Sequence, residues 1–223
     1  MSAHFKRRKK LKKIKANKGY NLWKLILVFL LLFPLTFFKF RIGEWDGKSK
    51  LSLVVNTPNA AVEVLTFDPE ADEITKVTIP GDTEVEVARG LGTWRLKSVW
   101  ELGKNEGLEG KLLTETIAFD LKFPTHLWAS KEASGFFDAK PLSLIKAAIY
   151  PYSTNLSFSD RLKIAIFSLG VVNSKKVEID LSTGSYLKKV KLLDGEIGYK
   201  ISNKLPERVS LIYSDNEISR QSP

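Results

Sequence analysis

Residues 51–80 read LSLVVNTPNAAVEVLTFDPEADEITKVTIP. Three runs within this stretch, LSLVV (51–55), AVEVLTF (61–67) and ITKVTI (74–79), are rich in Val, Ile, Thr and Phe, and each is bounded by Pro, Asn, Asp or Gly. That composition fits pleated strands separated by tight turns. In AVEVLTF only Glu63 interrupts the apolar run, so this strand is expected inside a sheet covered on both faces. The DPEAD stretch at 68–72 reads as a hairpin turn, and its carboxylates lack the spacing of a calcium loop.

Working outward, Val85 and Val87 alternate with Glu84, Glu86 and Arg89, the period of a half-exposed strand. Over 108–121, Leu108, Leu112, Leu113, Ile117 and Leu121 form an apolar stripe against Lys111, Glu115 and Asp120, which predicts an amphipathic helix. A second helix is expected over 158–169, with Ser157 or Ser159 as its cap, Leu162, Ile166 and Leu169 as its stripe and Gly170 as its stop. Extended runs return at 176–181, 187–192 and 209–213, and Asp194-Gly195 marks a turn. Strands interleaved with amphipathic helices point to an α/β sheet with helices on both faces.

The formal net charge of +10 is confined to one end of the chain. Residues 1–24 hold ten Lys or Arg and no Asp or Glu, and the remaining 199 residues balance 25 basic against 25 acidic side chains. A neutral folded part argues against a domain built to neutralise nucleic-acid phosphates. After the basic run, LILVFLLLFPLTFF (25–38) carries no charge and is flanked by Lys24 and Lys39. Snorkelling lysines and an interfacial Trp23 extend the embedded stretch to Leu22–Phe40, long enough to span a bilayer core of about 30 Å. Pro34 is tolerated near one end of such a helix. A cleaved secretory signal shares these features but needs small residues at its cleavage site, and KFRIGEW (39–45) is bulky. By the positive-inside rule the basic end stays cytoplasmic and everything beyond Phe40 lies outside. The expected organisation is a basic tail (1–21), a transmembrane helix (22–40), a linker (41–50), an extracytoplasmic domain (51–213) and a C-terminal tail (214–223).

With no Cys the chain makes no disulfide and holds no thiolate metal site. Its two His, His4 and His126, do not support a His-based metal site or a Ser-His-Asp triad. No G-x-S-x-G, Walker, G-x-G-x-x-G or H-E-x-x-H pattern occurs, and the string Ser182-Thr183-Gly184-Ser185 reads as a turn.

Taken together, residues 51–128 resemble the core of the LytR-CpsA-Psr family of membrane-anchored cell-envelope proteins. The resemblance rests on Asn59-Ala60-Ala61-Val62, Phe67-Asp68-Pro69, Ile79-Pro80-Gly81-Asp82-Thr83, the run Gly92 to Trp100 with Gly103, the stretch Leu112 to Leu121 and Phe123-Pro124-Thr125-His126-Leu127-Trp128. It implies a three-layer α/β/α sandwich with a mixed central sheet, preceded by one N-terminal transmembrane helix. It also implies transfer of glycopolymers from a polyprenyl-pyrophosphate carrier to the wall. Carboxylates there hold a divalent cation and arginines clamp the pyrophosphate.

The departures from the family pattern all remove charge. Ala60 stands for the motif Asp, Gly81 stands for the motif Arg, and Asn56-Thr57-Pro58 follows the first strand where Asp-Ser-Arg is expected. Arg89, Arg95 and Lys97 remain as candidate phosphate-binding residues. Asp82 reads as a turn or capping residue. No catalytic residue, metal ligand or cofactor is assigned. The expectation is a degenerate, non-catalytic relative that binds or scaffolds, with the membrane and a polyprenyl-linked glycan or cell-wall polymer as partners and no nucleic acid. An active phosphotransferase is the alternative; it would need Mg2+ and relocated ligands such as Asp138, Asp160 or Arg161. A second alternative is an anchor or regulator acting through the basic tail.

Overall fold

The computed structural model describes Lys24, Ile26, Leu27, Gly43 and residues 45–58, 61–192 and 195–202. It divides into two units, Met1–Ile42 and Gly43–Pro223. In the first, Lys24, Ile26 and Leu27 are helical and exposed. The expected tail 1–21, the rest of the expected span 22–40, the strand expected at 209–213 and the tail 214–223 lie outside the described residues. Among those described, no helix is long and apolar enough to cross a membrane.

The second unit is a mixed α/β domain. Strands β1 (Leu51–Thr57), β2 (Ala61–Asp68) and β3 (Glu73–Pro80) form an antiparallel meander in the order they leave the chain. Its β2–β3 turn is closed by Asp68, whose Oδ1 accepts from the backbone N–H groups of Glu70 and Ala71, each at 3.2 Å. Strand β6 (Leu127–Ser130) adds parallel to β1 and β7 (Lys176–Asp180) adds parallel to β3, giving the order β6-β1-β2-β3-β7. The pleat of β2 sends Val62 and Val64 to one face and Leu65 and Phe67 to the other, and all four are fully buried. The run broken only by Glu63 is therefore covered on both sides, and Glu63 itself accepts from Ser134 Oγ at 2.6 Å.

On the Val62 face lie helices α1 (Leu96–Asn105) and α2 (Gly110–Asp120). The opposite face is covered by α3 (Gly135–Asp138), α4 (Pro141–Ile149) and α5 (Phe158–Gly170). Tight packing on the first face dictates Gly110, where a Cβ would stand 2.4 Å from the Trp128 ring and 2.6 Å from that of Trp100. Those two rings meet edge to face at 5.6 Å.

A single central sheet does not account for all the strands. β4 (Thr83–Glu86), β5 (Thr93–Arg95), β8 (Leu187–Lys191) and β9 (Ile197–Ile201) make a second mixed sheet in the order β5-β4-β9-β8. The chain leaves the first sheet at Gly81, whose carbonyl accepts from the Lys97 N–H at 2.9 Å. This turn redirects the half-exposed strand that Val85 and Val87 foretold. β5, β9 and helices α1, α3 and α4 were not anticipated, and of the stretch 123–128 only Leu127 and Trp128 belong to a strand, β6.

One further expectation is corrected. Leu162, Ile166 and Leu169 are exposed, and α5 buries Asp160, Arg161, Ile164, Ala165 and Ser168 instead. The polar pair goes inward because each member has dedicated partners. Asp160 Oδ1 accepts from the Trp45 N–H at 3.1 Å and its Oδ2 from Ser157 Oγ at 2.8 Å. Arg161 donates through Nε to the Ala147 carbonyl at 3.0 Å and through a second nitrogen to that of Tyr150. Ser157 is the cap, accepting from the Asp160 N–H at 3.0 Å. The stretch 41–50, expected as a linker, contains Trp45, which is only 4% exposed and packs edge-on against Phe167 at 6.1 Å.

Candidate functional site

Because β1 and β6 run parallel, their carboxyl ends open on the same edge of the sheet, the place where α/β folds bind ligands. A groove of about 510 Å³ lies there. Asn56, Thr57 and Pro58 line it from the end of β1, Ser130, Lys131 and Glu132 from the end of β6, and Pro151, Tyr152 and Ser153 from the loop before α5. Helix α1 supplies Lys97, Trp100, Glu101 and Lys104, a spacing of three, four and seven residues that places them along one side of the helix.

Two of the three lysines that line the groove are paired with carboxylates. Lys97 Nζ lies 2.6 Å from Asp82 Oδ1 and Lys104 Nζ lies 2.9 Å from Glu101 Oε1. The Lys97 hydrogen bond keeps the Asp82 carboxyl below its ordinary value against the opposing effect of burial, and Arg95 adds to the lowering. On the far wall, the Tyr152 hydroxyl donates to the Ala147 carbonyl at 2.7 Å, and the Arg161 guanidinium stacks 4.2 Å from the ring centroid. Burial pushes the Tyr152 hydroxyl up to about 12, so it stays protonated and cannot act as a base at neutral pH.

Of the three sequence-derived phosphate candidates, Arg95 and Lys97 meet on Asp82 Oδ1 and Arg89 does not join them. Lys97 lines the groove. Arg95 points into a pair with Asp82 at 2.9 Å and Glu196 at 2.7 Å, outside the groove lining. Arg89 lies elsewhere, on a short turn after β4, where it makes a two-pronged pair with Glu115 at 2.7 and 2.8 Å. Gly81 is buried beside Lys97, and Ala60 lies outside the described residues. Asp160 and Arg161 hold structure, and Asp138 ends α3. Lys104, Lys131, Trp100 and Tyr152 were missed. The α1 residues would have shown as one side of a helix had 96–105 been recognised. Lys131 and Tyr152 reach the groove from loops and leave no local signal.

The described residues of the groove make no cluster suited to a divalent cation. The Asp82 carboxylate is engaged by Lys97 and Arg95, and among the described residues no three His, Asp or Glu side chains converge.

A mixed five-stranded sheet clad by helices on both faces, with a second small sheet beside it and a groove at the carboxyl ends of β1 and β6, is the LytR-CpsA-Psr fold. The chain is similar to Bacillus subtilis TagV at a TM-score of 0.53 and 12% identity, over 79% of this chain and 99% of that one. It is similar to B. subtilis TagT at 0.53 and 16%, over 81% and 95%. The LytR-CPS2A-psr family protein YwtF (TagT) with bound octaprenyl pyrophosphate lipid matches at 0.52 and 15%, over 81% and 94%. At these identities the likeness is one of fold. The sequence itself matches no protein-family model and no curated protein.

Proposed function

We propose that this chain is a membrane-anchored, extracytoplasmic LytR-CpsA-Psr-type protein of the bacterial cell envelope that binds a phosphate-bearing envelope glycan without turning it over. The carrying observation is the groove at the ends of β1 and β6, where Lys97, Lys104 and Lys131 stand beside Trp100 and Tyr152. Lysines suit a phosphate, and the aromatic edges at the groove wall suit a sugar ring. The fold shared with a protein that holds octaprenyl pyrophosphate lipid supports the ligand class.

The non-catalytic reading is supported by where the remaining charges sit. Phosphoryl transfer needs cations aimed at the leaving pyrophosphate, yet Arg89 and Arg95 lie outside the groove lining, against Glu115, Asp82 and Glu196. The tryptophan pair Trp100–Trp128 and the fully buried Leu112, Leu113 and Ile117 fill the space between the sheet and α1–α2. A long isoprenoid chain would have to displace them. The basic segment 1–21 and the apolar 22–40 support the anchor and its orientation.

The test incubates the full chain in vesicles with polyprenyl-pyrophosphate-linked glycan and magnesium. Binding that weakens on Lys97→Ala or Lys104→Ala, with no release of polyprenyl phosphate, is expected. Turnover that disappears on Arg95→Ala would establish the active phosphotransferase instead.

A further inference from the structure

Helices α4 and α5 carry apolar side chains on the side that faces away from the sheet. Leu142, Ile145 and Ile149 follow one another at three and four residues on α4, and Leu162, Ile166 and Leu169 do the same on α5. All six are exposed, Leu142 at 76%, Ile166 at 71% and Leu169 at 65%. The buried residues of the same helices, Leu144 and Ala147 on α4 and Ile164 and Ala165 on α5, lie on the opposite sides, against the sheet. The two helices pack in one layer, so their outer stripes form one apolar surface.

The exposed and half-buried charges along these two helices have one sign. From 139 to 170 these are Lys140, Lys146 and Lys163, Arg161 being buried, and the sole carboxylate of the stretch is the buried Asp160. An apolar face rimmed by lysine, in a chain whose residues beyond Lys24 carry no net charge, has the make-up of a surface that lies in a lipid headgroup layer.

The position of the tether says what covers it. Trp45 is clasped on α5: its N–H donates to Asp160, and Lys163 donates to its carbonyl. Gly43 comes so close that a Cβ there would stand 2.1 Å from Asp160 Oδ1. The span expected from the sequence ends at Phe40, three residues earlier, a reach of at most about 10 Å. On the anchored reading, the covalent link from the end of the span to the N-terminal end of α5 is therefore at most about 10 Å long.

We infer that the outer face of α4 and α5 lies on the outer leaflet of an anionic membrane, fixing the orientation of the domain above the bilayer. This rests on the anchored reading. The absence of cysteine makes every introduced cysteine a unique labelling site. The full chain is prepared as Leu142→Cys, Ile166→Cys and, as a control on the exposed end of α1, Glu106→Cys. Each is labelled with a fluorophore and reconstituted in phosphatidylglycerol-containing vesicles. Flotation reports anchoring, doxyl-labelled lipid reports contact with the leaflet and iodide reports exposure to water. Labels at 142 and 166 are expected to be quenched by doxyl lipid about tenfold more than the label at 106, and adding Leu169→Glu is expected to cut that difference severalfold. Equal quenching at all three positions in a chain that still floats overturns the inference and leaves the anchor standing. Shelter from iodide without lipid quenching overturns it in favour of a second copy on this face. A chain that does not float removes the anchored reading and this inference with it.

Discussion

Replacing Trp45 with Ala separates a docked segment from a loose connector. The indole is 4% exposed, meets Phe167 edge to face at 6.1 Å, and donates through Nε1 to the Ser49 carbonyl at 2.7 Å. Truncating a buried Trp to Ala costs about 3–5 kcal/mol through lost burial and the cavity left behind, with the ring pair contributing about 1 kcal/mol of that. The Ser49 carbonyl adds little, since Ser49 is exposed and water can take over. With a urea slope of about 2–3 kcal/mol/M for a domain of this size, the unfolding midpoint falls by about 1–2 M. Far-ultraviolet circular dichroism of the full chain in detergent micelles reads this directly. Trp45→Phe keeps a ring against Phe167, loses the Nε1 hydrogen bond, and should cost only about 1–2 kcal/mol. A midpoint shift below about 0.3 M for the Ala variant would mean that residues 43–50 hang free of the domain, and the clasp on α5 would be refuted.

Three further outcomes are expected. Ile164→Ala should cost about 2–4 kcal/mol and Ile166→Ala less than about 0.5 kcal/mol, although the two residues are a half-turn apart on α5; similar midpoints in urea would reverse the assigned faces. Gly110→Ala drives a methyl into Trp128 and Trp100 and should destabilise by about 1–3 kcal/mol, read as a lower Tm, whereas an unchanged Tm would show that the α2–sheet contact is loose. The Asp82 carboxyl has its folded pKa below 3.8, chiefly through Lys97, so its contribution to stability is present in full above about pH 4 and lost as pH falls through that depressed value. Urea unfolding of the wild type and Asp82→Asn should differ by a constant amount near neutrality and converge in acid; a difference that grows in acid would reverse the sign.

The first three strands were legible because a pleat buried on both faces demands consecutive apolar residues and a tight turn demands Asp-Pro, both local requirements. Helix α2 was legible for the same reason, its stripe of Leu108, Leu112, Leu113, Ile117 and Leu121 being set against charged neighbours. Helix α5 shows where local pattern fails. Its apolar residues occur on two sides, and periodicity alone favoured Leu162, Ile166 and Leu169, the side without charge. The partners that allow Asp160 and Arg161 to be buried are Trp45, Ala147 and Tyr150, which are 115, 14 and 11 residues away. Long-range satisfaction of a polar pair overruled a local apolar pattern. The groove was half legible: Lys97 belonged to a short list of surviving cations, but its neighbours Lys131 and Tyr152 arrive on separate loops.

By itself the sequence determined the uneven distribution of charge, the apolar stretch that follows the basic end and the strands of the meander, since each is a property of neighbouring residues. Tertiary structure alone decided the departure of β4 into a second sheet, the pairing of Arg89 with Glu115 and of Arg95 with Asp82, and the side of α5 turned to the core. These depend on distances between residues far apart in the chain, and a hydrogen bond or ion pair has no direction until the fold has brought its two ends together.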